Sequence, residues 1–456
     1  MTVDSTIFKA YDIRGVYPTQ VNEEVAFALG RAYAVWLKKQ SKKEHLQVVV
    51  GQDMRVSSPA LAERLMAGLM DQGVEVIAVG LISTPTFYFA VSYPHYDGGI
   101  MISASHNPAE YNGFKIVRES AKPVSGTSGL QDLRVLIEKD NFKPAPQPGK
   151  KIHHENMVHE EAKVQLGGSD VVTIKPFSIV ADTANGMGAQ YLDELFTYLP
   201  CKLHKMNWQF DGTFPGHDPD PLKEDNLKYL QTEVLAQKAD LGIATDGDGD
   251  RIFFVDNEGQ TVPPAVLRGI LAKVFLAEQP GATIGYDIRP GKITEDMILE
   301  YGGKPMLTRV GHSLIKEQML QENSYFSGES SGHLFLNKDY GCFEMPMIMI
   351  IKFLQELSAS GQTLADYVRP LKKYFPSGEI NSTVSDVPAV LARLKETYHD
   401  GQQSELDGLS VEYPDWWFNV RASNTEPLIR LNLEARSKEV MEQKRDEVLE
   451  VLNPKL

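Results

Sequence analysis

The chain has 456 residues, which at roughly 150 residues per domain implies about three domains, admits four and excludes a small module. Lys and Arg total 46 against 61 Asp and Glu, a net charge of −15, so nucleic-acid duplexes and anionic membranes are repelled on average and any phosphate ligand needs a local cationic pocket. A composition of 42% hydrophobic and 23% charged residues belongs to a core-forming globular chain and excludes a disordered one.

The start, Met1-Thr-Val-Asp-Ser-Thr, lacks the basic region of a signal peptide. In chain order, the first apolar run that stops at an acidic residue is Val48-Val-Val-Gly-Gln-Asp53. Leu61, Leu65 and Leu69 follow at helical spacing, and a second run, Gly99-Ile-Met-Ile-Ser-Ala-Ser-His-Asn-Pro108, ends in a polar loop. Residues 144–151 (PAPQPGKK) read as a linker. The pattern returns as Ile179-Val-Ala-Asp182, with Leu192, Leu195, Leu227 and Leu230 at helical spacing before Leu241-Gly-Ile-Ala-Thr-Asp-Gly-Asp-Gly-Asp-Arg251. It returns again as Thr283-Ile-Gly-Tyr-Asp287 and Tyr325-Phe-Ser-Gly-Glu-Ser-Ser-Gly-His333. The most apolar stretch, 345–354, is interrupted by Pro346 and Lys352 and is too short to span a bilayer. The pattern changes near Pro370: a strand at 380–384, a helix at 387–398, short β-type runs around Leu409, Trp417 and Ile429, and a helix at 439–452 with Met441, Val448, Leu449 and Leu452 on one face.

Three strand–helix–strand repeats followed by an α+β unit divide the chain at 1–150, 151–253, 254–369 and 370–456. Buried, mostly parallel strands place ligands beyond their carboxyl ends, so the three polar loops are expected to face one cleft. Taken singly, each loop also reads as an ordinary Gly, Asp or Pro turn. Two cysteines, Cys201 and Cys342, without a CxxC, support neither disulfides nor thiolate zinc and suit a reducing cytoplasm.

Asp246-Gly-Asp-Gly-Asp250 carries three carboxylates at alternate positions on a loop that its glycines let curl. Oxygen ligands without His or Cys select a hard cation, Mg²⁺ before Ca²⁺. An EF-hand does not fit, because Arg251 stands at the sixth position, Asn257 at the twelfth, and a strand-like Ile-Phe-Phe-Val follows. Ser105 in Ser-His-Asn-Pro is by itself a turn; beside a hard-cation loop it suggests phosphoryl transfer, and with no Walker A loop a nucleoside triphosphate is not the expected donor. Glu329 and Ser331 offer a carboxylate and a hydroxyl suited to adjacent sugar hydroxyls, and His333 is a candidate proton shuttle. Arg421-Ala-Ser-Asn-Thr425, with Arg430 beyond it, resembles a clamp for a phosphate that is bound and not transferred.

These motifs resemble the α-D-phosphohexomutases, and within them the bacterial phosphomannomutase/phosphoglucomutase group. The resemblance runs from Phe8-Lys-Ala-Tyr-Asp-Ile-Arg-Gly15 to the last helix through Ser103-Ala-Ser-His-Asn-Pro108, Asp246-Gly-Asp-Gly-Asp-Arg251, Gly328-Glu-Ser-Ser-Gly-His333 and Arg421-Ala-Ser-Asn-Thr-Glu-Pro427. It implies three related α/β mixed-sheet domains plus a smaller C-terminal α+β domain around a central cleft. It implies a phosphorylated Ser105, with Asp246, Asp248, Asp250 and a phosphoserine oxygen holding Mg²⁺. Tyr11, Arg14, His106, Lys115 and Arg251 would surround the transferring group, with Arg14, Lys115 and His333 catalytic beside Ser105. Arg289, Gly311 and His312 would line the sugar cleft, Glu329 and Ser331 would grip hydroxyls, and Arg421, Ser423, Asn424, Thr425 and Arg430 would hold the other phosphate. Ser330 stands where many members have methionine, a change expected to alter packing alone.

The implied reaction interconverts hexose 1- and 6-phosphates of mannose or glucose through a 1,6-bisphosphate that also serves as activator. The expected partners are small-molecule sugar phosphates, with no nucleic acid or membrane, in a monomer or weak homodimer. The competing readings are a phosphoglucosamine mutase, disfavoured by Arg-Ala-Ser-Asn-Thr-Glu-Pro, and a non-catalytic sugar-phosphate-binding or calcium-binding protein, disfavoured by the intact serine and aspartates.

Overall fold

The computed structural model describes residues 3–167, 170–384, 386–422 and 428–452, apart from the side chain of Thr127. Strands β1 (Ile13–Val16), β2 (Gln47–Gln52), β3 (Glu75–Leu81), β4 (Gly98–Ile102), β5 (Tyr111–Arg118) and β6 (Lys151–His153) form a sheet in the order β1-β5-β4-β2-β3-β6. Strands β7 (Ser178–Asp182), β8 (Lys202–Met206), β9 (Leu241–Thr245) and β10 (Ile252–Asp256) form the second, β10-β9-β7-β8. The third, β12-β11-β13-β14-β15, is built from β11 (Thr283–Asp287), β12 (Lys304–Thr308), β13 (Phe326–Gly328), β14 (Leu334–Lys338) and β15 (Gly341–Glu344).

In each of these sheets the two apolar runs read from the sequence are parallel neighbours, β2 with β4, β7 with β9 and β11 with β13. Parallel neighbours need crossover helices. Ser58–Asp71 buries Leu61, Leu65 and Leu69; Gly188–Phe196 buries Leu192 and Leu195; Glu224–Gln237 buries Leu227 and Leu230. The strand after each second run turns back antiparallel, β4 to β5, β9 to β10 and β13 to β14, which makes the sheets mixed and puts each polar loop in the reversal at the carboxyl end of the second run.

The C-terminal sheet, β16-β20-β19-β18-β17, is wholly antiparallel: β16 (Phe375–Ser382), β17 (Gln402–Ser404), β18 (Leu409–Glu412), β19 (Trp416–Ala422) and β20 (Ile429–Ala435). Helices Val387–Thr397 and Lys438–Leu452 cover one face, burying Leu394, Met441, Val448 and Leu452 in a core of their own. The first three units instead share one continuous apolar cluster, threaded by helices Thr84–Ser92, Pro264–Glu278 and Pro346–Ser360. All nine residues of Thr84–Ser92 are buried, so this helix lies inside the assembly. Among the described residues, no helix is long and apolar enough to cross a membrane.

Three readings of the sequence need correction. The segment 144–151 is not a free linker: Gly149 N donates to Met70 O, Val76 N donates to Lys150 O, and β6 extends the first sheet beyond the expected division at 150. Proline and lysine suit an edge, where the unpaired side of the strand faces solvent. The division expected at 253 falls inside β10. The strand expected at 380–384 is the longer β16, and β17, too short and polar to show periodicity, joins the sheet edge.

Candidate active site

The loop after β4 is held in an uncommon conformation. Ser105 has φ +51, in the left-handed region that non-glycine residues rarely take. Its backbone N donates to Ser103 Oγ at 2.9 Å, and the neighbouring carbonyls converge on one side chain, Arg55. Arg55 Nη2 donates to the carbonyls of Ser105 (2.8 Å) and Asn107 (2.6 Å), and Nη1 to those of Pro108 (2.7 Å) and Tyr111 (2.9 Å). Asp53 lies 3.3 Å from Arg55 Nε, and both side chains are fully buried. Phe214, from the second unit, covers the guanidinium 5.1 Å from its ring centre.

So held, Ser105 Oγ donates to Asp246 Oδ2 at 2.8 Å and lies 3.2 Å from His106 Nδ1. The serine and acidic loops touch at their backbones: a Cβ on Gly247 would meet Ser105 O at 2.6 Å, so only glycine fits there. Gly249, at φ +77, provides the curl that brings the three aspartates together. One oxygen from each of Asp246, Asp248 and Asp250 lies within 4.8 Å of the others, all three residues being buried.

Like charges this close need a cation. Lys115 Nζ, on β5, donates to Asp248 Oδ2 and Asp250 Oδ2 at 2.5 Å each. Burial opposes its charge, but these two carboxylates hold the ammonium well above its ordinary range. Burial, together with the Asp250 and Asp248 carboxylates, pushes Asp246 well up. Asp248 Oδ1 and Asp250 Oδ1 accept no hydrogen bond among the described residues. This donor set fits a hard divalent ion.

Around this cluster Arg14 Nη1 donates to Asn107 Oδ1 at 2.6 Å, while its Nε donates to Asp12. Arg251 N donates to Asp246 Oδ1 at 3.2 Å and Arg251 Nε to His333 Nε2 at 3.2 Å. His333 Nε2 is therefore the acceptor, and Nδ1 faces Glu344 Oε1 (3.3 Å) and Asp250 Oδ1 (3.5 Å). Burial acts against the Glu344 charge, but the buried Lys316 ammonium, 3.2 Å away, holds its carboxyl at about 2. Burial pushes His106 far below the ordinary imidazole value, assisted by Arg251 and Arg14; burial with Lys316 and His333 does the same to His312.

The third loop lies beside the first two. Glu329 Oε1 accepts from Gly311 N at 2.9 Å and lies 3.1 Å from Arg289 Nη2, while Ser331 Oγ donates to Glu329 Oε2 at 2.7 Å. Tyr11 OH donates to Val310 O, and its ring meets His312 edge-on at 5.7 Å. A Cβ on Gly311 would strike the Tyr11 ring at 2.5 Å. Ser330 does more than alter packing: its hydroxyl donates to Asp287 at 2.7 Å and accepts from the fully buried Arg268 at 2.8 Å. This network also holds Arg289, whose Nε donates to Asp287 at 2.6 Å. Arg289 and Ser330 line a cavity of about 670 Å³ shared with Glu379, Asn432 and Glu434 of the last unit.

The structure thus gathers Ser105, His106, Arg14, Lys115, Asp246, Asp248, Asp250, Arg251 and His333 into one cluster. Tyr11, Arg289, Gly311, His312, Glu329 and Ser331 form an adjoining group. Arg421 and Arg430, in the last unit, are register partners on β19 and β20, and both pair with Glu379. Ser423, Asn424 and Thr425 lie outside the described residues. Arg55, Arg268, Lys316, Glu344 and Glu379 were not readable as site residues. Of their surroundings, only the acidic strand ends Asp53 and Asp287 gave a signal.

Comparison with known proteins gives one direction. Models of phosphoglucomutase/phosphomannomutase alpha/beta/alpha domains I, II and III match residues 5–143, 156–259 and 265–374, and that of the C-terminal domain matches 379–451. A phosphomannomutase of Escherichia coli is 37% identical over 98% of this chain and 99% of its own. A Xanthomonas campestris protein named for phosphohexose mutases is 40% identical over 94% and 95%. The crystal structure of a phosphoglucomutase/phosphomannomutase family protein from Burkholderia thailandensis superposes with TM-score 0.90 at 31% identity, covering 99% of both chains.

Proposed function

The chain belongs to the phosphoglucomutase/phosphomannomutase family, and we propose that it interconverts the 1- and 6-phosphates of mannose or glucose through a phosphorylated Ser105. It is a hexose phosphate mutase. The observation that carries the serine reading is the 2.8 Å contact of Ser105 Oγ with Asp246 at the centre of the buried carboxylates.

In the proposed cycle the phosphoryl group on Ser105 Oγ passes to the free hydroxyl of a hexose phosphate. The serine–phosphorus bond breaks as a sugar–phosphorus bond forms, and the hydroxyl proton goes to a base. The resulting 1,6-bisphosphate turns over, and its other phosphoryl group returns to Ser105 Oγ. His333 is the residue we assign to hold that proton: its Nε2 accepts from Arg251 Nε and would be released to take the proton when Arg251 turns to the transferring group. Asp246, Asp248 and Asp250, with a phosphoserine oxygen, would hold Mg²⁺, which when bound neutralises charge on the transferring group. Arg14 and Lys115 present cationic groups on the same side. Glu329 and Ser331 would hold sugar hydroxyls near the axis of the turn, and Arg421 and Arg430 the phosphate that is not reacting. Water must be kept out because it would cleave the phosphoserine; closure of the last unit over the cleft would serve this. We place this activity in the cytoplasm.

Ser105→Ala is the test. The fold should be unchanged and turnover of mannose 1-phosphate and glucose 1-phosphate, with Mg²⁺ and bisphosphate present, should vanish. Turnover near the wild-type rate would remove Ser105 from the transfer role.

A further inference from the structure

The strand β16 enters the C-terminal sheet with a bulge. Its pairing with β20 shifts between Pro376 and Glu379, where Gly378 adopts φ +72, and Leu433 N donates to Ser377 Oγ at 3.0 Å instead of completing the ladder. A bulge re-aims the side chain that follows it, and here that side chain is Glu379. Its carboxylate lies between two guanidiniums: Arg421 Nη2 donates to Oε2 at 2.8 Å, and Arg430 Nη1 lies 3.2 Å from Oε1. Asn432 Nδ2, across the ladder, reaches the same Oε2 at 3.4 Å. The Arg421 side chain is only 4% exposed, but that of Glu379 is 29% exposed and borders the large cavity shared with Arg289.

We propose that Glu379 is a built-in rival for the phosphate: its carboxylate engages the two arginines before a sugar phosphate arrives and must give up at least one for the phosphate to enter. The proposal deepens the reading of Arg421 and Arg430 as the anchor of the unreacting phosphate and rests on it. A phosphate meeting two bare guanidiniums would be gripped by two charge-assisted forks. With Glu379 present the local charge falls from +2 to +1, and each new contact replaces an existing one, so only the difference appears as affinity. A weaker grip matters to a mutase because its bisphosphate intermediate must release the anchor, turn and offer the other phosphate. The arrangement has an ordinary alternative, in which Glu379 stays in place and merely orients the guanidiniums. The two readings predict opposite signs.

The experiment measures inorganic phosphate as a competitive inhibitor of the wild-type enzyme and of Glu379→Gln, Glu379→Ala and Arg421→Lys. It also measures kcat and the escape of labelled glucose 1,6-bisphosphate in single turnover. Glutamine keeps the shape and removes the rivalry. We expect the inhibition constant of phosphate to fall by roughly two- to fivefold in Glu379→Gln, the range of a partly exposed ion pair, with slower bisphosphate escape and lower kcat. Glu379→Ala should move in the same direction, so a folding defect in either variant leaves the other to decide. Unchanged or weaker phosphate binding in the folded variants would overturn the proposal in favour of an orienting role. Arg421→Lys separates the two layers: if it leaves phosphate inhibition of the wild-type background unchanged, the anchor reading itself fails. If it weakens inhibition and Glu379→Gln does not strengthen it, only the role of Glu379 fails.

Discussion

Replacement of Arg55 by methionine tests whether the serine loop is held by one side chain. The change keeps most of the buried volume but removes the guanidinium from the carbonyls of Ser105, Asn107, Pro108 and Tyr111 and from the Asp53 carboxylate, which keeps the backbone N of position 55 and Ser58 Oγ as donors. Removing one partner of a buried ion pair costs about 3–5 kcal/mol, and a hydrogen bond from a charged group is worth about 1.5–3 kcal/mol. These contributions share one guanidinium and do not add, so the expected loss is about 4 kcal/mol, concentrated in residues 103–111. Ser105 would then relax from its left-handed conformation, which by itself costs roughly 1–3 kcal/mol. Amide hydrogen exchange of that segment should accelerate by about three powers of ten, and, on the proposed role of Ser105, kcat should fall by at least about tenfold as its hydroxyl leaves its position. Arg55→Lys, which keeps the charge but cannot span four carbonyls, should fall between the two. Exchange and kcat both unchanged in Arg55→Met would refute the reasoning, whatever the melting temperature did.

Three further outcomes are expected. Asp248→Asn keeps the shape of the acidic loop but removes one of its three converging negative charges, so titration of activity with Mg²⁺ should show a half-saturating concentration raised by roughly tenfold or more. Arg421→Ala should raise KM and lower kcat, reducing kcat/KM by one to two powers of ten, or about 1.5–3 kcal/mol, equally for mannose and glucose 1-phosphate; a loss confined to one sugar would mean that Arg421 reads the ring. Burial raises Glu161 from 4.5 to about 7 against hydrogen bonds from Thr86 and Gln165. The folded chain therefore binds more protons than the unfolded one between those values, and stability falls as pH rises from 4.5 to 7. Glu161→Gln should flatten that slope in denaturant melts and stabilise the protein by up to about 3 kcal/mol at pH 8, whereas an unchanged slope would show that Glu161 is charged when folded.

The repeated architecture is legible because a strand buried on both faces must be a continuous apolar run, and because its carboxyl end must leave the sheet through a polar loop. Asp53, Asp182 and Asp287 mark three such exits. The acidic loop is legible for a different reason: Asp246, Asp248 and Asp250 converge through glycines within five residues, so proximity in space is proximity in sequence. Arg55 has no such mark. Its partners lie 50 to 56 residues away and are backbone carbonyls, which every residue possesses. Glu344 is hidden likewise, since its contact with His333 depends on the β14–β15 hairpin folding back. Pro144 and Pro146 suggested a linker because proline is common both in linkers and on sheet edges, and the strand it leads to, Lys151–His153, is too short for periodicity to decide.

The buried helix Thr84–Ser92 also bears on how the protein is made. On a ribosome this helix emerges early, yet its aromatic face is completed by residues near the other end of the third unit: Phe89 meets Tyr340 and Tyr88 meets Phe343. About 250 residues separate them, roughly 12 to 50 seconds of synthesis. Phe87 and Val91 pack on Gly99 of the unit's own sheet, but throughout that interval the nascent N-terminal unit would display Tyr88 and Phe89 to its surroundings. This is the kind of surface that chaperones retain and neighbouring polysomes entangle. The first unit is therefore a poor candidate for expression alone, while the C-terminal unit, with a core that draws on no other, can finish folding last without delaying the rest.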